Sequence, residues 1–528
     1  MQQSARRDAR FERIHWVFVG GALLAAAATV AVILAVAQPT VVSRPTPTAS
    51  ATFPPEAASL RPLLHITPAE HWMNDPQRPF FADGRWHAYY LYNADYPEGN
   101  GTAWYHVTST DLVTWRDEGV AIEKYQNGLG DIQSGSAVID TENTAGFGAG
   151  AVIALVTQQS EGVQRQSLFV STDDGYTFTP YEGNPVIENP GVEDFRDPKV
   201  VWDGTQWVMA LAEGDKIGFY TSPDLKTWSY TSGFTRDDLG LLECPDLFEM
   251  SIGGDPERTV WVLGASADGA QFGRGAGYAY WSGAWDGSSF TPTTAEPQWL
   301  DHGADFYAAV TWSDTIASRE QQLSTRYAMG WVNNWAYARE LPDTGWQGGA
   351  QSLVRELSLV EVDGRPTLRG APVAALGEHV EPVSEAGAEL AADAAVSVVP
   401  ADTGASRITF EVHRDQRADR IDLVVGDAFT ATVSVDLAAG QVRVDRSADA
   451  VAPTLGDTYR AVQTAPFNWV DDTVAVEVVV DGLTLEVFVN GGEASLTSLV
   501  FVDAPIVSVT SIGGDAKLDG VTVERLVG

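Results

Sequence analysis

The 528 residues carry 71 Asp and Glu against 33 Lys and Arg, a formal net charge of −38, and a field of that sign repels phosphate backbones, which excludes nucleic acid as a partner. The length calls for a few domains rather than one core. Cys244 is the single cysteine, so no intrachain disulfide forms and each domain is held by its own packing.

Arg6, Arg7, Arg10 and Arg13 precede an uncharged stretch from Trp16 to Ala37 that is rich in Ala, Val and Leu. Residues 1–37 therefore read as an export helix. Its length suits an uncleaved membrane anchor with the basic end inside, whereas Ala35-Val36-Ala37 suits removal as a signal peptide. Both readings place the remaining chain outside the cell. Residues 38–59, rich in Pro, Thr and Ser, read as an extended linker.

From about residue 60 a repeat begins. Ser109-Thr110-Asp111-Leu112-Val113-Thr114-Trp115 returns as Ser222-Pro223-Asp224-Leu225-Lys226-Thr227-Trp228, more loosely from Ser171 to Phe178, and faintly from Ser282 to Phe290. The period of roughly 50–60 residues accommodates about four strands per unit. Upstream halves match too: Asp75-Pro76 leads to Asp83-Gly84, and Asp197-Pro198 leads to Asp203-Gly204, each a strand, a tight turn and a second strand. No sustained helical period interrupts them, so residues 60–370 are predicted to form a β-propeller of about five blades. After about residue 376 aromatics thin out. Alternating runs, among them Arg407–Val412, Ile421–Val425, Phe429–Val435, Val442–Val444 and the pair flanking Asp481-Gly482, predict a β-sandwich over residues 376–528. The expected class is all-β.

Phase within the repeat predicts where acids meet. Asp75, Asp197 and Glu243 each open a unit at or beside an X-Pro step, so all three are expected at one mouth of the propeller channel. Alone, each Asp-Pro step is explained by turn chemistry. Together they form a carboxyl cluster of the kind that separates pKa values for glycoside hydrolysis. The eight histidines show no metal-ligand spacing, and no metal or cofactor is expected.

The segments His71-Trp72-Met73-Asn74-Asp75-Pro76, Phe195-Arg196-Asp197-Pro198 and Glu243-Cys244-Pro245 resemble the three signature motifs of family-32 glycoside hydrolases, the invertases, inulinases, levanases and related fructosyltransferases. Asp305-Phe306-Tyr307-Ala308, Gly330 to Trp335 and Leu353 to Leu357 extend the resemblance, which continues through Leu485 to Asn490. It implies a five-bladed propeller joined to a sandwich, with a fructan as substrate. It also implies Asp75 as nucleophile, Glu243 as acid/base and Asp197 as a stabiliser binding fructosyl hydroxyls. Asn74, Trp104, Ser134, Arg196 and Trp335 would line the sugar pocket, and Cys244 reads as a small buried residue.

Two departures bear on specificity. Gln77-Arg78-Pro79 replaces the usual Asn-Gly after the Asp-Pro step, and Leu91 replaces a Gln. The first resembles levan-acting members, so β-2,6-linked levan is expected to be preferred over inulin and sucrose, with Gln77-Arg78-Pro79 stiffening the rim of the mouth. The bland alternative makes Gln77 and Arg78 supports for a neighbouring loop. Fructosyl transfer, exo-inulinase activity and a non-catalytic fructan-binding surface protein are the competing functions, and oligomeric state is not legible.

Overall fold

The computed structural model describes residues 60–528 except 270–271, 273–275, 343–345, 400–403, 427–430 and 502–506. The export helix and linker predicted over residues 1–59 lie outside the described residues. Among those described, no helix is long and apolar enough to cross a membrane.

Among the described residues, five antiparallel blades are present. Trp72–Ala82, Arg85–Asn93, Ala103–Ser109 and Arg116–Ile122 run from centre to rim in the first, and residues 131–180, 196–235, 241–299 and 307–372 form the others. The innermost strands Trp72–Ala82, Asp131–Asp140, Arg196–Trp202, Leu241–Ser251 and Tyr307–Trp312 touch in sequence around a closed ring. The chain ahead of the first blade is tied to the fifth: Gln347 N donates to the His71 carbonyl and Gln351 N to that of Ile66. Neighbouring blades share separate apolar cores, such as Leu155, Leu168, Met209 and Leu211 between the second and third.

The Ser-x-Asp boxes are the turns from third to fourth strand. Ser109 Oγ accepts from the N–H groups of Asp111 and Leu112, while Asp111 accepts from Val113 and Thr114. Ser171 with Asp173 and Ser222 with Asp224 repeat the device. In the faint fourth copy the turn has slid. Ser282 lies inside the strand Ala276–Trp285, and Asp286 instead caps Ser288 and Ser289.

Two six-stranded antiparallel sheets follow and pack face to face around a Val-rich core. The predicted alternating runs become strands such as Ser406–His413, Arg420–Val425 and Thr473–Asp481. The edge strand Val380–Leu390 pairs with the final strand Ala516–Leu526, so the two ends of this region close the same sheet. A helix at Ala452–Arg460 was not expected from the strand pattern. Its Leu455 and Tyr459 pack with Tyr337 and Trp346 of the propeller.

Propeller and sandwich are joined by buried charge. Arg355 pairs with Asp301 and with Glu486, both at 2.8 Å, and His65 lies 2.8 Å from Asp481 and 3.0 Å from Glu486. Arg446 of the sandwich pairs with Asp305 of the propeller.

Candidate active site

All five innermost strands lose register near their starts. The slips fall between Met73 and Pro76, Ile132 and Gly135, Arg196 and Lys199, Glu243 and Asp246, and Tyr307 and Val310. A bulge leaves residues out of the ladder and turns their side chains off the pleat. That accounts for Pro198 and Pro245, which lie among the residues left out, where no ladder N–H is required, while Pro76 resumes the pairing opposite Tyr90. Asp197 and Cys244 adopt left-handed φ values of 64° and 46° there.

Asp75, Ser134, Arg196, Asp197 and Glu243 consequently line one cavity of about 220 Å³ at this end of the channel. The volume lies below the roughly 300–1,000 Å³ typical of drug-sized ligands and suits a single sugar ring. Asp75 is met by donors on both oxygens. Asn74 Nδ2 reaches Oδ1 at 2.9 Å, Ser134 Oγ reaches Oδ2 at 2.6 Å, and Asn74 is itself oriented by Trp72 Nε1 at 2.9 Å.

Glu243 is held by Arg196 Nε at 2.9 Å and by the Tyr307 hydroxyl at 2.6 Å. Burial raises its pKa, and the Arg196 charge and the Tyr307 bond offset this only in part. Asp197 lies deeper, 5% exposed, and accepts the Cys244 N–H at 3.0 Å. Its pKa is also raised, first by burial, then by Glu243 and Asp75, against the pull of Arg196. The Cys244 thiol stands 3.6 Å from both Asp75 and Asp197, and burial with these neighbours pushes it far from ionisation.

Of the other pocket residues expected from sequence, Asn74 and Trp335 line the cavity, Trp335 stacked 6.1 Å from Trp72. Trp104 does not. It pairs with Leu91 across the first blade, donates to the Gln133 carbonyl at 3.0 Å and is fully buried against Tyr89. It supports the wall that Leu91 forms, because Leu91 itself lines the cavity.

Gln77 is not on the rim either. It is buried beneath Asp75, donating to the Asp75 carbonyl at 2.9 Å and to Ser134 Oγ at 3.3 Å while accepting Gly135 N at 2.8 Å. Arg78 points away from the cavity and donates to the Val200 carbonyl at 2.8 Å. The rim-stiffening role expected of this segment is thus replaced by support from below, since a bulged strand buries alternate residues. Trp72 and Tyr307 were quoted in motifs without roles of their own. Tyr307 opens the fifth inner strand at the phase of the three acids, a signal hidden because the fifth blade lacks a Ser-x-Asp box.

A carboxyl cluster over a one-sugar cavity at a propeller mouth defines a glycosidase-type site. The family model for the glycosyl hydrolases family 32 N-terminal domain matches residues 65–371 and that for the family 32 C terminal matches residues 374–525. The chain belongs to glycosyl hydrolase family 32, and it is a glycoside hydrolase acting on fructosidic bonds. It is 42% identical to a levanbiose-producing levanase of Bacillus subtilis, over 88% of this chain and 90% of the relative. It is 51% identical to one of Geobacillus stearothermophilus, over 57% of this chain and 77% of the relative. Among solved structures, an exo-inulinase from Aspergillus awamori superposes with a TM-score of 0.78 at 27% identity, covering 89% of this chain and 98% of the other.

Proposed function

We propose that this enzyme hydrolyses levan with retention of configuration, using Asp75 as nucleophile and Glu243 as acid/base. The observation that carries this reading is the unequal setting of the two carboxyls. Asp75 receives neutral donors on both oxygens, whereas Glu243, held by Arg196 and Tyr307, has its pKa pushed upward by burial, in the direction an acid needs. Asp75 attacks the anomeric carbon as Glu243 protonates the departing oxygen; a water activated by Glu243 then releases the unit carried on Asp75, a difructosyl unit where levanbiose is the product. Asp197 and Asn74 hold ring hydroxyls, and Trp335 with Trp72 supplies an apolar wall.

Levan is favoured over inulin by the two levanbiose-producing relatives and by Leu91, which places apolar surface in the cavity. Levanbiose is accordingly the expected product. Residues 60–370 act as the catalytic domain and 376–528 as its support, and export through residues 1–37 places both outside the cell, secreted or tethered.

Initial rates on levan, inulin and sucrose at matched fructosyl concentration test the substrate, with levan fastest and levanbiose dominant. Equal or faster turnover of inulin overturns the levan assignment and favours the exo-inulinase reading that the Aspergillus structure keeps in play. Products longer than the substrate indicate transfer rather than hydrolysis. Inverted product in an early NMR time course removes Asp75 from the nucleophile role.

A further inference from the structure

The propeller axis carries a second charged cluster, deeper than the catalytic one and of opposite sign. Lys199 comes from the third inner strand, Asp246 from the fourth, Arg78 from the first, and Arg326 opens the next strand of the fifth blade. Lys199 Nζ lies 3.2 Å from Asp246 and donates to the Thr311 carbonyl at 3.1 Å. Arg326 lies 3.7 Å from Asp246, donates to the same carbonyl at 3.0 Å and rests on the Phe248 ring 4.0 Å away. Arg78 interacts electrostatically with all three while donating a hydrogen bond to the Val200 carbonyl. Three cations thus share the Asp246 carboxylate, in a chain whose net charge is −38.

That excess is costly in a buried setting. Lys199 is pushed down to about 7, by burial first and then by Arg78 and Arg326, against the pull of Asp246. The other carboxylates nearby are engaged elsewhere or exposed. Asp140 caps Thr144 and Ala145, Asp203 caps Thr205 and Gln206, Glu249 pairs with Arg319, and Glu142 faces solvent.

Nor is the cluster sealed. Arg78 and the buried Arg326 both line a cavity of about 710 Å³ at the end of the inner strands opposite Asp75 and Glu243. Guanidinium forks match planar and tetrahedral oxyanions better than a point charge does. We propose that this cavity binds a small oxyanion, of the sulfate, phosphate or carboxylate class, between Arg78 and Arg326. The site gives Arg78, which departs from the usual Gly at this position, a task that the fructosidase chemistry does not use.

Thermal unfolding of the full chain, titrated with sulfate, phosphate or acetate at constant ionic strength, tests this. A ligand bound only by the native state raises the midpoint in a saturable way. Arg78→Gln is expected to weaken the apparent affinity by about tenfold or more, equivalent to at least 1.4 kcal/mol, whereas Arg319→Gln at the cavity rim leaves it unchanged. The stronger of the acetate and sulfate responses identifies the carboxylate or the tetrahedral class. No response, or equal responses in the wild type and Arg78→Gln, overturns the proposal. Should Arg78→Gln fail to fold, crystals of the wild type soaked in selenate decide: an anomalous peak between Arg78 and Arg326 is expected, and its absence at saturation refutes the site.

Discussion

The catalytic mouth and the seam between propeller and sandwich are built from the same residue types, buried carboxyls and arginine, and they do opposite things with them. At the seam, burial alone would raise Asp301 and Glu486, but the Arg355 charge together with the hydrogen bonds each accepts, and His65 at Glu486, outweighs it and both are held below the ordinary carboxylate range. At the mouth, Arg196 is shared among Asp194, Asp197 and Glu243, and Asp197 and Glu243 stay above that range. The difference is one of stoichiometry. Matched and fully hydrogen-bonded charge stabilises the ionised form, while under-matched charge shifts carboxyls toward the protonated form that acid chemistry uses.

The largest effect expected from breaking this contrast is kinetic. Asp75→Asn should lower kcat on every fructan by roughly 10⁴-fold or more, with an unchanged circular dichroism spectrum; a residual rate within tenfold of the wild type would contradict the nucleophile assignment. At the seam the expected loss is in stability instead. Arg355→Ala leaves Asp301 buried without its cation and Glu486 with His65 alone, and should cost roughly 3–5 kcal/mol by urea unfolding, with kcat per folded molecule retained. If kcat falls in step with stability, the seam and the mouth are coupled and the contrast fails.

Next in size is a pH effect at the seam. Burial lowers the His65 pKa, but Asp481 and Glu486 raise it more, to about 9. A raised folded pKa means that the stabilisation is complete below the unfolded value of about 6.5 and disappears as pH climbs through about 9. The melting midpoint should therefore fall across that window, and His65→Gln should flatten the decline. An equal slope in both proteins would assign the effect elsewhere.

The smallest effect has the opposite sense, because it relieves the mouth. Asp197 has a raised pKa, so its contribution is present below the unfolded value near 3.9 and is lost as pH rises through the folded one. Asp197→Asn should stabilise the fold by about 1 kcal/mol at pH 8, with little gain near pH 4, while activity is lost. A destabilised variant at pH 8 would show that the Cys244 N–H bond matters more than the burial of charge.

Much of this was legible because a repeat converts sequence phase into spatial position. Asp75, Asp197 and Glu243 could be expected at one mouth since each opens a unit, and the Ser109 and Ser222 boxes announced turns whose hydrogen bonds are local. Trp104 was misjudged for the complementary reason. Whether a tryptophan faces a cavity or stands behind its wall depends on the strand facing it, and here Leu91 takes the front position. The burial of Gln77 was hidden likewise, because the bulge at Asp75 shifts which residues of that strand point inward. The helix at Ala452–Arg460 gave no signal, being short, interrupted by Gly456 and stabilised by contacts with the propeller rather than by its own pattern.

By itself, then, the sequence determined the all-β class, the period of the blades, the turn chemistry and the set of acids, since these follow from local patterns and from the identity of side chains. Only the tertiary structure decided which carboxyls burial pushes upward, which residues stand behind the pocket wall, and how Arg78, Lys199, Arg326 and Asp246 converge on the axis. Those outcomes depend on distance, burial and the ratio of charges among residues far apart in the chain, and no local pattern encodes them.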